Sequence, residues 1–161
     1  MAVLEPMPGH VTSEIRDRLM DGSTGNSVVF TCGERLSVFS GTYDLFVVVG
    51  GKAEESAPAL HTKILLVPDK VSPETVAEIS SGWVVSYGLS GKASITLSSL
   101  ESSFAVLALQ RELVTLADTV VEQQEIPLRF SQGLGAQALM AVYGSLLMLG
   151  IQPEALRETA S

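Results

Sequence analysis

Cysteine is nearly absent from this chain: Cys32 stands alone among 161 residues. One thiol closes no intramolecular disulfide and builds no multi-cysteine zinc or iron–sulfur centre. Cys32 falls in a strand-like run, where a buried, inert thiol is expected. Histidine is almost as scarce, with only His10 and His61. Neither has a partner at metal-ligand spacing, so both are expected on exposed loops and no metal site is expected. Gly-x-Ser-x-Gly is missing, and no histidine follows residue 61. A serine hydrolase of the usual strand–elbow type needs both. Basic residues are few: 10 Lys and Arg against 18 Asp and Glu, a net charge of -8. They are scattered, so nothing neutralises a phosphate backbone, and nucleic-acid binding is excluded. Long apolar runs are lacking as well. The most apolar segment, Ala138 to Ile151, is shorter than the ~20 residues that span a bilayer, so a buried helix is expected and no membrane association. The opening "MAVLEPMPGH" has neither a basic start nor an apolar signal core, and cytoplasmic residence is the expectation.

What the chain does have is apolar bulk. Hydrophobic residues make up 46% and charged residues 17%, which suits one globular domain over residues 1–161. "VTSEIRDRLMDG" reads as a helix with Thr12 or Ser13 as cap, Ile15, Leu19 and Met20 on one face, and Gly22 at its end. "SVVFTCGERLSVFSG" reads as a hairpin or bent strand about Gly33. Leu45 to Val49 is an unbroken apolar run, the signature of a strand covered on both faces in a parallel sheet. "KILLVPDK" and "GWVVSYG" repeat that texture. Between them Ser72, Pro73 and Glu74 form a helix start: cap, first-turn proline, and an acid at the positive end of the dipole.

After Gly88 the pattern changes. Ala93, Ile95 and Leu97 alternate with Ser94, Thr96 and Ser98, a strand with one wet face. "SFAVLALQREL" supplies another strand to about Leu109, and "TVVEQQEIPLRF" a third, cut by Pro127. A long apolar helix over about 134–149 follows, stopped by Gly150, then a short helix begun near Pro153. The expected architecture is therefore α/β: a short, mostly parallel sheet with helices in 1–88, a small antiparallel β-meander in 89–130, and a long buried C-terminal helix in 131–161.

Two stretches invite a binding reading. "VVVGGKAEE" puts Gly50, Gly51 and Lys52 at the end of a buried strand, where backbone N–H groups can meet an anion. It is no P-loop, because Phe46 stands where the first glycine belongs and Ala53 where the magnesium-binding hydroxyl belongs. "VVSYGLSGKASITLSS" sets Lys92 in a glycine-bounded loop between two strands, with Arg111 and Glu112 further along. Gly88 and Gly91 read as the joint between two parts of sheet, with Lys92 solvated at its edge.

The stretches "VVSYGLSGKASITLSS", "FAVLAL", "EIPLRF" and "GLGAQALMAVYGSLLMLGIQPEAL" together resemble the closing part of the central domain of Mur ligases and folylpolyglutamate synthases. Leu149, Gly150, Ile151, Pro153 and Glu154 match the family's helix ending. The likeness covers about residues 82–156. Gly135 and Ala138 stand where the family carries two asparagines that contact nucleotide. The family's P-loop, glutamate-rich magnesium motif and C-terminal domain are missing. The resemblance implies a fold without the ligase chemistry: a non-catalytic relative that binds a small molecule or a protein partner, with no cofactor and no catalytic residue. Two other functions stand beside it. One is a small nucleotide- or anion-binding enzyme using Gly50, Gly51 and Lys52 with Lys92 and Arg111. The other is a structural homodimer joined through the apolar helix.

Overall fold

The computed structural model describes residues 1–21, 27–50, 59–130 and 133–158. Eight strands form one sheet: β1 (Ala2–Leu4), β2 (Thr31–Gly33), β3 (Gly41–Val48), β4 (Leu60–Pro68), β5 (Ile79–Tyr87), β6 (Ile95–Leu100), β7 (Phe104–Leu109) and β10 (Gln124–Arg129). Their order is β10-β7-β6-β5-β4-β3-β1-β2. A separate hairpin pairs β8 (Leu113–Val114) with β9 (Val120–Val121). The helices are α1 (His10–Asp21), α2 (Pro73–Ala77), α3 (Ala136–Met148) and α4 (Pro153–Glu158), with a single 3-10 turn at Leu36–Val38. No helix among the described residues is long and apolar enough to cross a membrane.

The apolar runs become the parallel half of the sheet. Strands β2, β1, β3, β4 and β5 all run the same way. Leu45 to Val48 and Ile64 to Val67 are buried because both faces are covered. On one face lie α1 and α3, over Val3, Val47, Leu66 and Tyr87. On the other, Leu36 and Phe39 pack with Phe46, Leu65 and Val67, and the Phe39 and Phe46 rings meet edge to face at 4.9 Å.

The antiparallel strands continue this same sheet. β6 runs parallel to β5 but meets it only at Tyr87 opposite Ile95, the last residue of one against the first of the other. A parallel neighbour normally needs a long return crossover. Here β6 simply starts where β5 stops, so the short segment 88–94 suffices. β7 and β10 then add antiparallel. Pro127 does not cut β10, which runs through it opposite Val106. β10 is the edge strand, and there a proline's missing N–H leaves no ladder bond unmade.

The C-terminal helix is buried as expected, with Leu139 to Met148 all inaccessible. Gly144 permits its close approach: a Cβ there would lie 3.1 Å from Ile95 Cδ1 and 3.2 Å from Leu66 Cδ2. Gly150, at φ +96°, ends it. Ser72 caps α2, its hydroxyl accepting from Thr75 N at 3.3 Å.

Several expectations are corrected. Neither Thr12 nor Ser13 caps α1. Glu5, 1% exposed, reaches from the end of β1, and its carboxylate accepts from Gly9 N, Val11 N and the Thr12 hydroxyl, each at 2.7 Å. Ile15 is buried, but Met20 points to solvent. Gly22 lies outside the described residues. Gly33 marks no hairpin; β2 ends there, and a side chain would strike Val38 and Phe39. Cys32 is exposed, because β2 is the outermost strand and leaves both Thr31 and Cys32 uncovered. His10 and His61 are exposed, yet they sit at the start of α1 and within β4, not on loops.

Candidate functional site

Parallel strands β1, β3, β4 and β5 end together at Leu4, Val48, Pro68 and Tyr87. Ligands in open α/β sheets gather at this edge. A cleft of about 400 Å³ opens there. Its walls are the turn after β4 (Pro68, Asp69, Lys70), the turn after β5 (Gly88, Leu89, Ser90), and the first turns of α3 (Ala136, Gln137, Met140), with Tyr87 between them.

Hydrogen bonds tie these elements to each other. The Tyr87 hydroxyl donates to Val48 O at 2.7 Å. The Gln137 amide donates to Val49 O at 3.1 Å. The end of β3 is thus fastened both to β5 and to the start of α3. Burial holds the Tyr87 phenol well above its ordinary pKa; a hydrogen bond from Gln137 opposes the shift and the nearby Asp69 charge adds to it. The raised pKa favours the protonated phenol that donates to Val48 O.

The loop after β5 is held from several sides. Asp69 N donates to Tyr87 O at 2.7 Å, and the Asp69 carboxylate accepts from Ser90 N at 3.1 Å. That carboxylate occupies the space a side chain at Gly88 would need. The Gln110 amide donates to Ser90 O and Ala93 O at 3.3 and 2.8 Å. Arg111 Nη2 donates to Lys92 O at 2.9 Å. Held by these bonds, the loop places Leu89, 70% exposed, and Ser90 in the wall of the cleft.

The helix start completes the site. Gly135 caps α3 without a side chain that could accept from the first turn, and the positive end of the helix dipole lies at this edge. The cleft therefore offers a carboxylate at Asp69, an ammonium at Lys70, backbone donors at α3, and apolar wall from Leu89 and Met140. Pockets that mix a few polar groups with apolar wall are the kind that suit small molecules with both polar and apolar parts. Among the described residues no group of three His, Cys, Asp or Glu is placed to hold a metal ion.

The residues expected from the sequence fall mostly beside this cleft. Lys92 and Arg111 are brought together, but through a side chain to a backbone carbonyl, and neither lines the cleft. Gly50 lies two residues past the end of β3, against the Pro6 ring, where a Cβ would come within 3.1 Å; its small size serves packing. Gly51 and Lys52 lie outside the described residues. Asp69, Tyr87, Ser90 and Gln137 were not singled out. The available signal was positional: Asp69 and Gly88 each follow a buried parallel strand directly. No protein-family model matches the chain, and no curated protein is detectably similar to it.

Proposed function

We propose that the chain is a binding domain, Mur-ligase-like in its second half and without ligase catalysis, that holds a small ligand in the cleft at the ends of β4 and β5. The carrying observation is the cleft itself: two strand-end turns and a helix start converge on one opening, and Asp69, Gln110 and Arg111 hold its loop in place. Preorganisation of this kind lowers the ordering cost of binding. The non-catalytic part of the reading is supported by Gly135 and Ala138. They stand at the cap and first turn of α3, so at these two positions no amide side chain reaches a ligand.

The two other readings draw less support. Gly50 is accounted for by Pro6, which weakens the anion-edge enzyme. The apolar face of α3 is covered by its own chain, so its composition requires no second copy. The test is a thermal-shift and calorimetric screen with nucleotides and nucleotide sugars, on the native chain and on Gln137→Ala and Ser90→Trp. A rise in melting temperature that Ser90→Trp abolishes is expected. No shift with any compound at millimolar concentration, or a shift untouched by both substitutions, overturns the reading.

A further inference from the structure

A second pocket, of about 210 Å³, lies on the sheet four to five residues back along β4 and β5 from the cleft, about 15 Å at strand rise. Its most unusual member is Trp83, the chain's only tryptophan, which is 61% exposed. An indole normally buries most of its large surface, so an open one calls for an account. Its surroundings are not an apolar patch. Lys63 and Asp118 line the same pocket, and Lys63 Nζ is 3.0 Å from the Asp44 carboxylate, with both side chains well exposed.

The wall opposite is fixed. Asp118 sits at φ +55°, the one described residue other than glycine in the left-handed region. Its N–H donates to Thr115 O, Thr115 N to Thr119 O, and Leu116 N to Met148 O, at 3.0, 3.0 and 2.9 Å. The turn is thereby pinned to itself and to the end of α3. Trp83, Lys63 and Asp118 share the lining of a space too small for a drug-sized molecule.

We propose that Trp83, Lys63 and Asp118 form a subsite for a single pyranose ring of a saccharide. A pyranose has an apolar C–H face, which suits the electron-rich face of an indole. Its edge carries hydroxyls that both donate and accept, matching the carboxylate of Asp118 and the ammonium of Lys63. A purely apolar ligand would strip water from both charges with no return, and a flat aromatic ring would satisfy only Trp83. The inference does not depend on what the cleft binds.

Trp83 reports on its own site. Its fluorescence is to be followed while glucose, N-acetylglucosamine, the acyclic polyol sorbitol and adenosine are titrated into the full chain. A saturable change with a cyclic sugar and none with sorbitol is expected. Ligand-observed NMR on Trp83→Ala, Lys63→Met and Asp118→Asn should show affinity weaker by about tenfold or more, the loss of roughly one good polar or stacking contact. Asparagine also tolerates the left-handed backbone, so Asp118→Asn tests the carboxylate with the turn intact. Absence of any saturable change with the cyclic sugars overturns the proposal. So does an equal response to sorbitol, tighter binding of adenosine, or wild-type sugar affinity in all three variants.

Discussion

Removing the Glu5 carboxylate should be among the most damaging single changes on the surface of this core. Glu5 sits at the end of β1 with 1% of its surface exposed, and the three hydrogen bonds of its carboxylate go to the start of α1 at 2.7 Å. Glu5→Ala leaves two backbone N–H groups without their acceptor, Gly9 in a half-buried site and Val11 in a buried one. Each stranded donor costs about 1–3 kcal/mol. The Thr12 hydroxyl can turn to another acceptor, and some water can enter the vacated space. The net loss should be about 3 kcal/mol, a large share of the ~5–15 kcal/mol that holds a domain together. For a chain of this length that lowers the melting temperature by about 6–12 °C. Glu5→Gln keeps the shape but sets an amide donor against a backbone donor, and should lose about 2 kcal/mol. Urea unfolding followed by circular dichroism measures both. Ser13→Ala is the control: its hydroxyl is exposed and bonds only His10 O, so a change within about 0.5 kcal/mol is expected. If Ser13→Ala costs more than Glu5→Ala, the cap assignment is wrong.

Other outcomes follow from the same geometry. Gly88→Ala should displace the Asp69 carboxylate, break its bond to Ser90 N and cost about 1–3 kcal/mol, seen as lower urea resistance together with lost ligand binding in the cleft. Lys92→Ala should unfold within about 0.5 kcal/mol of wild type and bind normally, because the side chain is exposed and only its carbonyl is used; weakened binding would return Lys92 to the site. Gly144→Val should lose about 1–3 kcal/mol or more by forcing α3 off Ile95 and Leu66, measured by the same unfolding curve. Burial raises the phenol pKa of both Tyr87 and Tyr143. Their contribution is whole below the unfolded value of about 10 and is lost as pH climbs toward the folded values. Stability should therefore fall above about pH 10, and Tyr143→Phe should blunt that fall; an unchanged alkaline profile in both Tyr87→Phe and Tyr143→Phe would contradict it.

Local chemistry and periodicity determined the elements. Unbroken apolar runs such as Leu45 to Val49 call for a strand covered on both faces, as in a parallel sheet. Ser72 and Pro73 start α2, and Gly150 stops α3, because caps and breakers act within a few residues. The alternation after Gly88 correctly announced antiparallel strands. What separated strands do to one another lay beyond such signals. Only the folded chain sets Glu5 under α1, turns Cys32 outward on an edge strand, and lets β10 run through Pro127. The cleft is of the same kind: Asp69, Ser90 and Gln137 come from three distant segments and meet only where β4 and β5 end and α3 begins. Spacing along the chain carries information over one turn or one hairpin, while a site assembled at a sheet edge depends on strand order, which no short stretch encodes.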